Sequence, residues 1–100
     1  MKILLLGDIV GRPGRNFLSG HLSKFLELFP VDAVFANGEN AAGGAGITAK
    51  TAEEIHRAGV MGITLGDHVW DQQDTKTVLA QDKRVLRPHN FPTDVAGSGF

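Results

Sequence analysis

Residues 62–71 read GITLGDHVWD. An apolar run, Ile63-Thr64-Leu65, ends on Gly66, and Asp67, His68 and Asp71 follow at once. A short apolar run bounded by glycine reads as a buried strand. Ionisable groups just beyond it belong where the strand's carboxyl end opens on a cleft. There a turn can carry a side chain into the cleft while the strand anchors its backbone. Open parallel α/β sheets are built this way, with ligands outside the carboxyl ends of their strands.

Upstream the same sentence is written twice more. Lys2–Leu6 is a short continuous apolar run, suited to a strand covered on both faces. Gly14–Phe29 carries Leu18, Leu22, Phe25, Leu26 and Phe29 at helical spacing, and Pro30 stops that helix. Asp32–Ala36 is a second strand, followed by the glycine-rich NGENAAGGAGI. The next helix begins near Thr48 or Thr51. Thr51 and Glu54 have capping-box spacing, Ala52, Ile55 and Ala58 form its apolar stripe, and Gly59 ends it. Val60–Leu65 is the third strand, a weaker helix falls between Asp71 and Gln81, RVLRP is a short fourth strand, and residues 88–99 are irregular. The order is β-α-β-α-β-α-β. Long helices between short strands predict a layered α/β fold with a mostly parallel sheet and right-handed crossovers.

Three strand ends then deliver polar groups to one edge: Asp8 after the first, Asn37, Glu39 and Asn40 after the second, Asp67 and His68 after the third. Carboxylates that converge repel one another and take up protons unless a cation is present. Carboxylate, amide oxygen and imidazole together suit manganese, iron or zinc. Each residue also has a plainer reading. Asp8 serves equally as a cap for the following helix, Asn37 and Asn40 as turn residues, Glu39 as a solvated loop side chain, and His68 as a surface or packed histidine. The recurrence at three strand ends is what favours a site. His21 and His56 lie within helices and read as structural; Trp70 reads as a packing anchor against the last helix.

Composition narrows the rest. One hundred residues make one domain at most. Apolar residues are 42% and charged residues 21%, ordinary for a globular protein. Ten basic and eleven acidic residues give no broad attraction for nucleic acid or anionic lipid. The absence of cysteine removes thiolate metal sites. The first apolar run is shorter than the about 7–15 residues of a signal peptide's core, and no stretch nears the ~20 of a membrane span. A cytoplasmic protein without membrane contact is expected. GDIVGRPG lacks the lysine and hydroxyl of a P-loop, no strand leads into a GxGxxG turn, and no nucleophile elbow occurs.

GDIVGRPGR, ANGENAAGGAGIT, ITLGDHVWD, VLRPHNFP and GSGF, in that order, resemble the sequence blocks of the YmdB-like metallophosphoesterases, a branch of the calcineurin-like superfamily. The resemblance implies the N-terminal half of a metallophosphoesterase sandwich, with residues 1–100 as the N-terminal portion of that domain and its C-terminal half absent. It implies a phosphodiesterase with two divalent ions (iron, manganese or zinc) acting on a small phosphorylated substrate of the 2′,3′-cyclic AMP type. By that likeness Asp8 binds the first ion, Glu39 bridges both, Asn40 lies in the metal or phosphate shell, Asp67 binds the second ion, and His68 protonates the leaving oxygen. Two departures stand out. Asp67 replaces the family's usual asparagine, adding a negative charge, and family members are much longer, with further histidine ligands in their second half. Two other readings therefore stay open: an α/β module that holds metal or a phosphorylated ligand without turnover, and an inactive truncated fragment. A bare half-sheet also leaves an edge that invites a homo-oligomer.

Overall fold

The computed structural model describes residues 1–100. Its elements run β1 (Ile3–Asp8), α1 (Gly11–Leu28), β2 (Ala33–Asn37), α2 (Ala49–Arg57), β3 (Gly62–Thr64), a 3-10 turn (Asp67–Trp70), α3 (Thr75–Gln81) and β4 (Val85–Leu86). The four strands are all parallel and lie in the order β1-β2-β3-β4. This is the α/β architecture expected from the alternating pattern.

Strand order decides where the helices go. When each strand pairs with the next one along the chain, right-handed crossovers all pass over the same face. Burial follows. Val34, Ala36, Ile63 and Val85 are buried beneath the helices, with Leu4 and Leu6 packed against the same core. On the other face Ile3 is 50% and Leu5 74% exposed. The expectation that the first strand is covered on both faces is therefore wrong for this chain. Continuous apolarity was a true signal of a face that packs well, but only one side has a layer on it. Gly62 belongs to the bare face, where a Cβ would overlap the ring of Phe35.

Helix α1 begins at Gly11, earlier than the apolar period indicates, and Leu18 and Leu22 carry its buried stripe. Phe25 and Phe29 lie outside the stripe expected for them. Both are exposed and packed on each other, ring centroids 4.9 Å apart. Helix α2 starts after Thr48, which makes a reciprocal box with Thr51. Thr51 N donates to Thr48 Oγ1 at 3.2 Å, and Thr48 N donates to Thr51 Oγ1 at 2.9 Å. Glu54 is free of the cap and turns instead to Arg15. His56 is structural: its Nδ1 donates to the Val60 carbonyl at 2.9 Å, and its Nε2 faces Asp82 at 3.3 Å. His21 lies exposed against Phe17. Trp70 is 40% exposed and so is not the buried anchor expected; its ring stacks on Phe91 of the last loop, at 6.2 Å.

The core joins Ile47, Ile55, Ile63, Val69 and Val85, each nearly fully buried, to the sheet. Burying one such side chain stabilises by about 1.5–3 kcal/mol. Ile47 and Val69 lie in the segments after β2 and β3, so the loops that carry polar groups are themselves part of the core.

Candidate active site at the carboxyl edge of the sheet

Four strand ends meet at one edge, and the backbone knits them together. β1 pairs with β2 up to Leu6 and Ala36, then the register slips, so Asp8 and not Gly7 sits opposite Asn37. A bulge of this kind re-aims a side chain at the rim of a sheet. Beyond it, Ile9 N donates to Asn37 O at 3.0 Å and Gly11 N to Asn40 O at 2.9 Å. Helix α1 is not capped by Asp8; Val10 holds the cap position without a side-chain bond. The Asp8 carboxylate instead accepts from Asn40 Nδ2 at 2.8 Å. Asn37 is the turn residue it resembled, its Oδ1 accepting from Glu39 N at 3.2 Å.

Glu39 crosses to the third strand end. Its Oε2 accepts from His68 N at 3.4 Å, and its carboxylate lies against Gly66 so closely that a Cβ there would overlap it. This is the physical reason for glycine at the end of ITLG. His68 Nδ1 is 2.7 Å from Asp71 Oδ2. That hydrogen bond, with the nearby charges of Asp67, Asp71 and Glu39, raises the histidine's pKa above its ordinary value despite some desolvation. With Nδ1–H given to Asp71, Nε2 is the nitrogen left to act on a ligand. Asp67 is exposed and contributes its charge.

The structure thus brings together Asp8 with Asn40, and Glu39 with His68. No three histidine, aspartate and glutamate side chains are gathered closely enough to hold an ion by themselves. The edge is open: Asp8 and Asp67 are exposed, and Glu39, Asn40 and His68 partly so. In kind, the carboxylates of Asp8, Glu39 and Asp67 and the amide oxygen of Asn40 fit a hard or borderline divalent ion. In number they supply part of a coordination shell.

Three residues that the sequence reading left unassigned shape this edge. Arg15, its side chain only 14% exposed, donates from Nε to Glu54 at 2.7 Å and from Nη1 to the Ala41 carbonyl at 2.5 Å. Gln72 donates to the carbonyls of Ala45 at 2.8 Å and Ala42 at 3.4 Å. Thr75, fully buried, donates to the Ile47 carbonyl at 2.9 Å. Together they clamp residues 41–47, the loop that follows Glu39 and Asn40. That loop turns through Gly43, Gly44 and Gly46, all at positive φ. A long-range partner for a backbone carbonyl leaves no local sequence signal. Asp71, the orienting group for His68, does leave one: it follows three residues later, an i, i+3 pair in a 3-10 turn.

Known proteins share this chain's sequence pattern and fold. A family profile described as YmdB-like protein matches residues 4–100. A 2′,3′-cyclic-nucleotide 2′-phosphodiesterase of Bacillus subtilis is 35% identical over 100 residues, all of this chain and 38% of the relative. Among solved structures, a hypothetical protein of Thermus thermophilus superposes with a TM-score of 0.91 at 36% identity, covering 100% of this chain and 38% of that one. A protein of Mycoplasma pneumoniae described as a novel phosphatase gives 0.90 at 34% identity over 99% of this chain and 37% of that one. The chain therefore spans well under half the length of the relatives it matches.

Proposed function

The chain belongs to the YmdB-like protein family, and from that membership together with the edge geometry we propose that it forms the N-terminal part of a metal-dependent phosphodiesterase acting on a cyclic nucleotide of the 2′,3′ type. The observation that carries the reading is the cross-strand pairing at one sheet edge: Asn40 on Asp8, and Glu39 against Gly66 and His68.

In this reading Asp8, Glu39, Asn40 and Asp67 would hold divalent ions, Glu39 being the carboxylate that reaches from the second strand end to the third. Such ions, when bound, lower the pKa of a water and neutralise phosphate charge. The protein supplies the rest. Asp71 holds the His68 ring through Nδ1, which leaves Nε2 to give a proton to the leaving oxygen. The clamp on residues 41–47 fixes where Glu39 and Asn40 stand, which is what a positioned reaction needs. Asp67 adds a negative charge where an anionic substrate would approach, which favours cation binding over substrate binding.

Manganese binding followed by electron paramagnetic resonance, with hydrolysis of 2′,3′-cyclic AMP measured alongside, tests the proposal. Glu39→Gln and Asp8→Asn are each expected to weaken manganese binding at least tenfold. Unchanged binding in both would overturn it. A second reading has its own support in Asp67, whose exposed negative charge opposes an anionic substrate: the chain holds metal or phosphate without turning substrate over. Tight manganese binding with no hydrolysis, by the chain or by a form extended to the length of its relatives, decides for that reading.

A further inference from the structure

Gln72 stands one residue past Asp71, just beyond the turn that carries Asp67 and His68. Its Nε2 donates to two carbonyls of the neighbouring loop, Ala45 at 2.8 Å and Ala42 at 3.4 Å. Two carbonyl acceptors decide which end of the amide faces them, since only its NH2 group can donate. The stem lies on Gly46, where a Cβ would come 2.7 Å from Gln72 Cγ and 3.1 Å from Gln72 N. The residues that follow continue the seam. Asp74 Oδ2 accepts from Ala49 N at 2.7 Å, and Thr75 Oγ1 donates to Ile47 O at 2.9 Å. Residues 72–75 are thus stitched along residues 42–49.

The turn that Gln72 grips leads back to Glu39. Ala42 N donates to Gly46 O at 2.9 Å, Ala45 N to Ala42 O at 3.2 Å, and Gly46 N to Glu39 O at 2.5 Å. From there the Glu39 side chain returns to His68 N at 3.4 Å, and His68 is bonded to Asp71, the neighbour of Gln72. The contacts close a ring. At 3.4 Å the Glu39–His68 contact is longer than the usual 2.7–3.2 Å, so it holds only where both of its ends are already placed. Arg15 and Thr75 reach the same loop from α1 and α3. Gln72 alone among these clamping side chains reaches it from beside the turn that bears His68. We propose that Gln72 is a positioning residue of the candidate site: it ties the turn at residues 42–46 to the third strand end and so holds the Glu39 carboxylate against the His68 N–H. It acts through Glu39 rather than on a ligand. This deepens the reading given above and rests on it only where an ion is concerned.

The first test uses no metal. The His68 amide resonance is followed by NMR in the parent, in Glu39→Ala, which lacks the contact, and in Gln72→Met, which keeps the stem and removes the donor. Gln72→Met is expected to move that amide toward its position in Glu39→Ala, and to speed hydrogen exchange at the Ala45 and Gly46 amides about fivefold. The second test is manganese binding by electron paramagnetic resonance. Gln72→Met is expected to bind about fivefold more weakly than the parent, the equivalent of one ordinary hydrogen bond. Gln72→Lys restores a donor and should recover part of that loss. Added to Glu39→Ala, Gln72→Met should cost nothing further, because a residue that acts through Glu39 has nothing left to place. A side chain that only stabilised the fold would lower the melting temperature, leave the His68 amide unmoved and add its own loss in the double variant. An unmoved His68 amide, unchanged affinity in Gln72→Met, a Gln72→Lys no better than Gln72→Met, or an additive double variant overturns the assignment. A parent that binds no manganese overturns the metal-dependent reading instead, and the His68 amide alone then decides for or against Gln72.

Discussion

Replacing Gly66 by alanine separates the site from the fold. Gly66 has φ −137° and ψ −141°, a negative φ outside the left-handed region that favours glycine. The added Cβ would lie 2.5 Å from Cδ of Glu39 and 2.6 Å from its Oε1, closer still to Oε2. The obstructed group is the far end of a flexible side chain, and it moves rather than the backbone. Its departure costs the 3.4 Å contact with His68 N, about 0.5–1.5 kcal/mol for an ordinary hydrogen bond. Against this, alanine restricts the unfolded chain and stabilises by about 0.4–1 kcal/mol. The two nearly cancel, so urea unfolding should place Gly66→Ala within about 1 kcal/mol of the parent. Manganese binding should not survive so well. Moving the carboxylate that reaches from the second strand end to the third should cost at least tenfold, about 1.4 kcal/mol, read by electron paramagnetic resonance on the same sample. A variant that binds manganese as the parent does would refute the role given to Glu39. A variant that loses several kcal/mol of stability would refute the claim that its carboxylate is free to yield.

Other outcomes follow from the same contacts. Arg15→Met breaks a charge-assisted pair and a carbonyl bond, and should lower unfolding free energy by about 1.5–3 kcal/mol; Arg15→Lys, with one nitrogen for two acceptors, should recover only part of it in the same urea titration. Thr75→Val keeps the shape and leaves the buried Ile47 carbonyl unpaired, a loss of about 1–3 kcal/mol by chemical denaturation. Asp71→Asn removes the largest cause of the raised His68 pKa, so the imidazole titration followed by NMR should move to lower pH; an unmoved titration would deny Asp71 its orienting role. Asp82 is held below the usual aspartate range by its hydrogen bond from Arg84, with the Arg84 backbone N–H and His56 assisting against desolvation. Its contribution is present above the ordinary aspartate pKa of 3.8 and is lost as pH falls through the lowered value. Asp82→Asn should accordingly flatten the acid limb of the stability curve below about pH 4.

What the sequence disclosed here was whatever repeats along the chain. Period and punctuation set the element order, and Gly66, Gly59 and Pro30 marked ends close to where they fall. The parallel sheet follows from helix-length connections between short strands. Strand order did not follow, and with it went the one-sided cover: apolar runs such as Lys2–Leu6 read alike whether one face or two are buried. The split face of α1 escaped for a similar reason, since Phe25 and Phe29 share the period of Leu18 and Leu22 while lying to one side of it. At the site, the residues on strand ends were legible because strand ends are. Arg15, Gln72 and Thr75 were not, because each serves a carbonyl some thirty positions away, and a carbonyl is the same at every residue.

The sheet order β1-β2-β3-β4 has a consequence for how the molecule comes into being. Every strand pairs with the one synthesised just before it, so each newly emerged unit finds its partner already waiting at the ribosome. The Asp8–Asn40 link can close while the third strand is still being translated, and Glu39 meets Gly66 only one crossover later. Each stage closes one helix-length crossover, as parallel neighbours require. The rim that gathers the polar groups can thus form in the order of its codons, each link needing only residues already made.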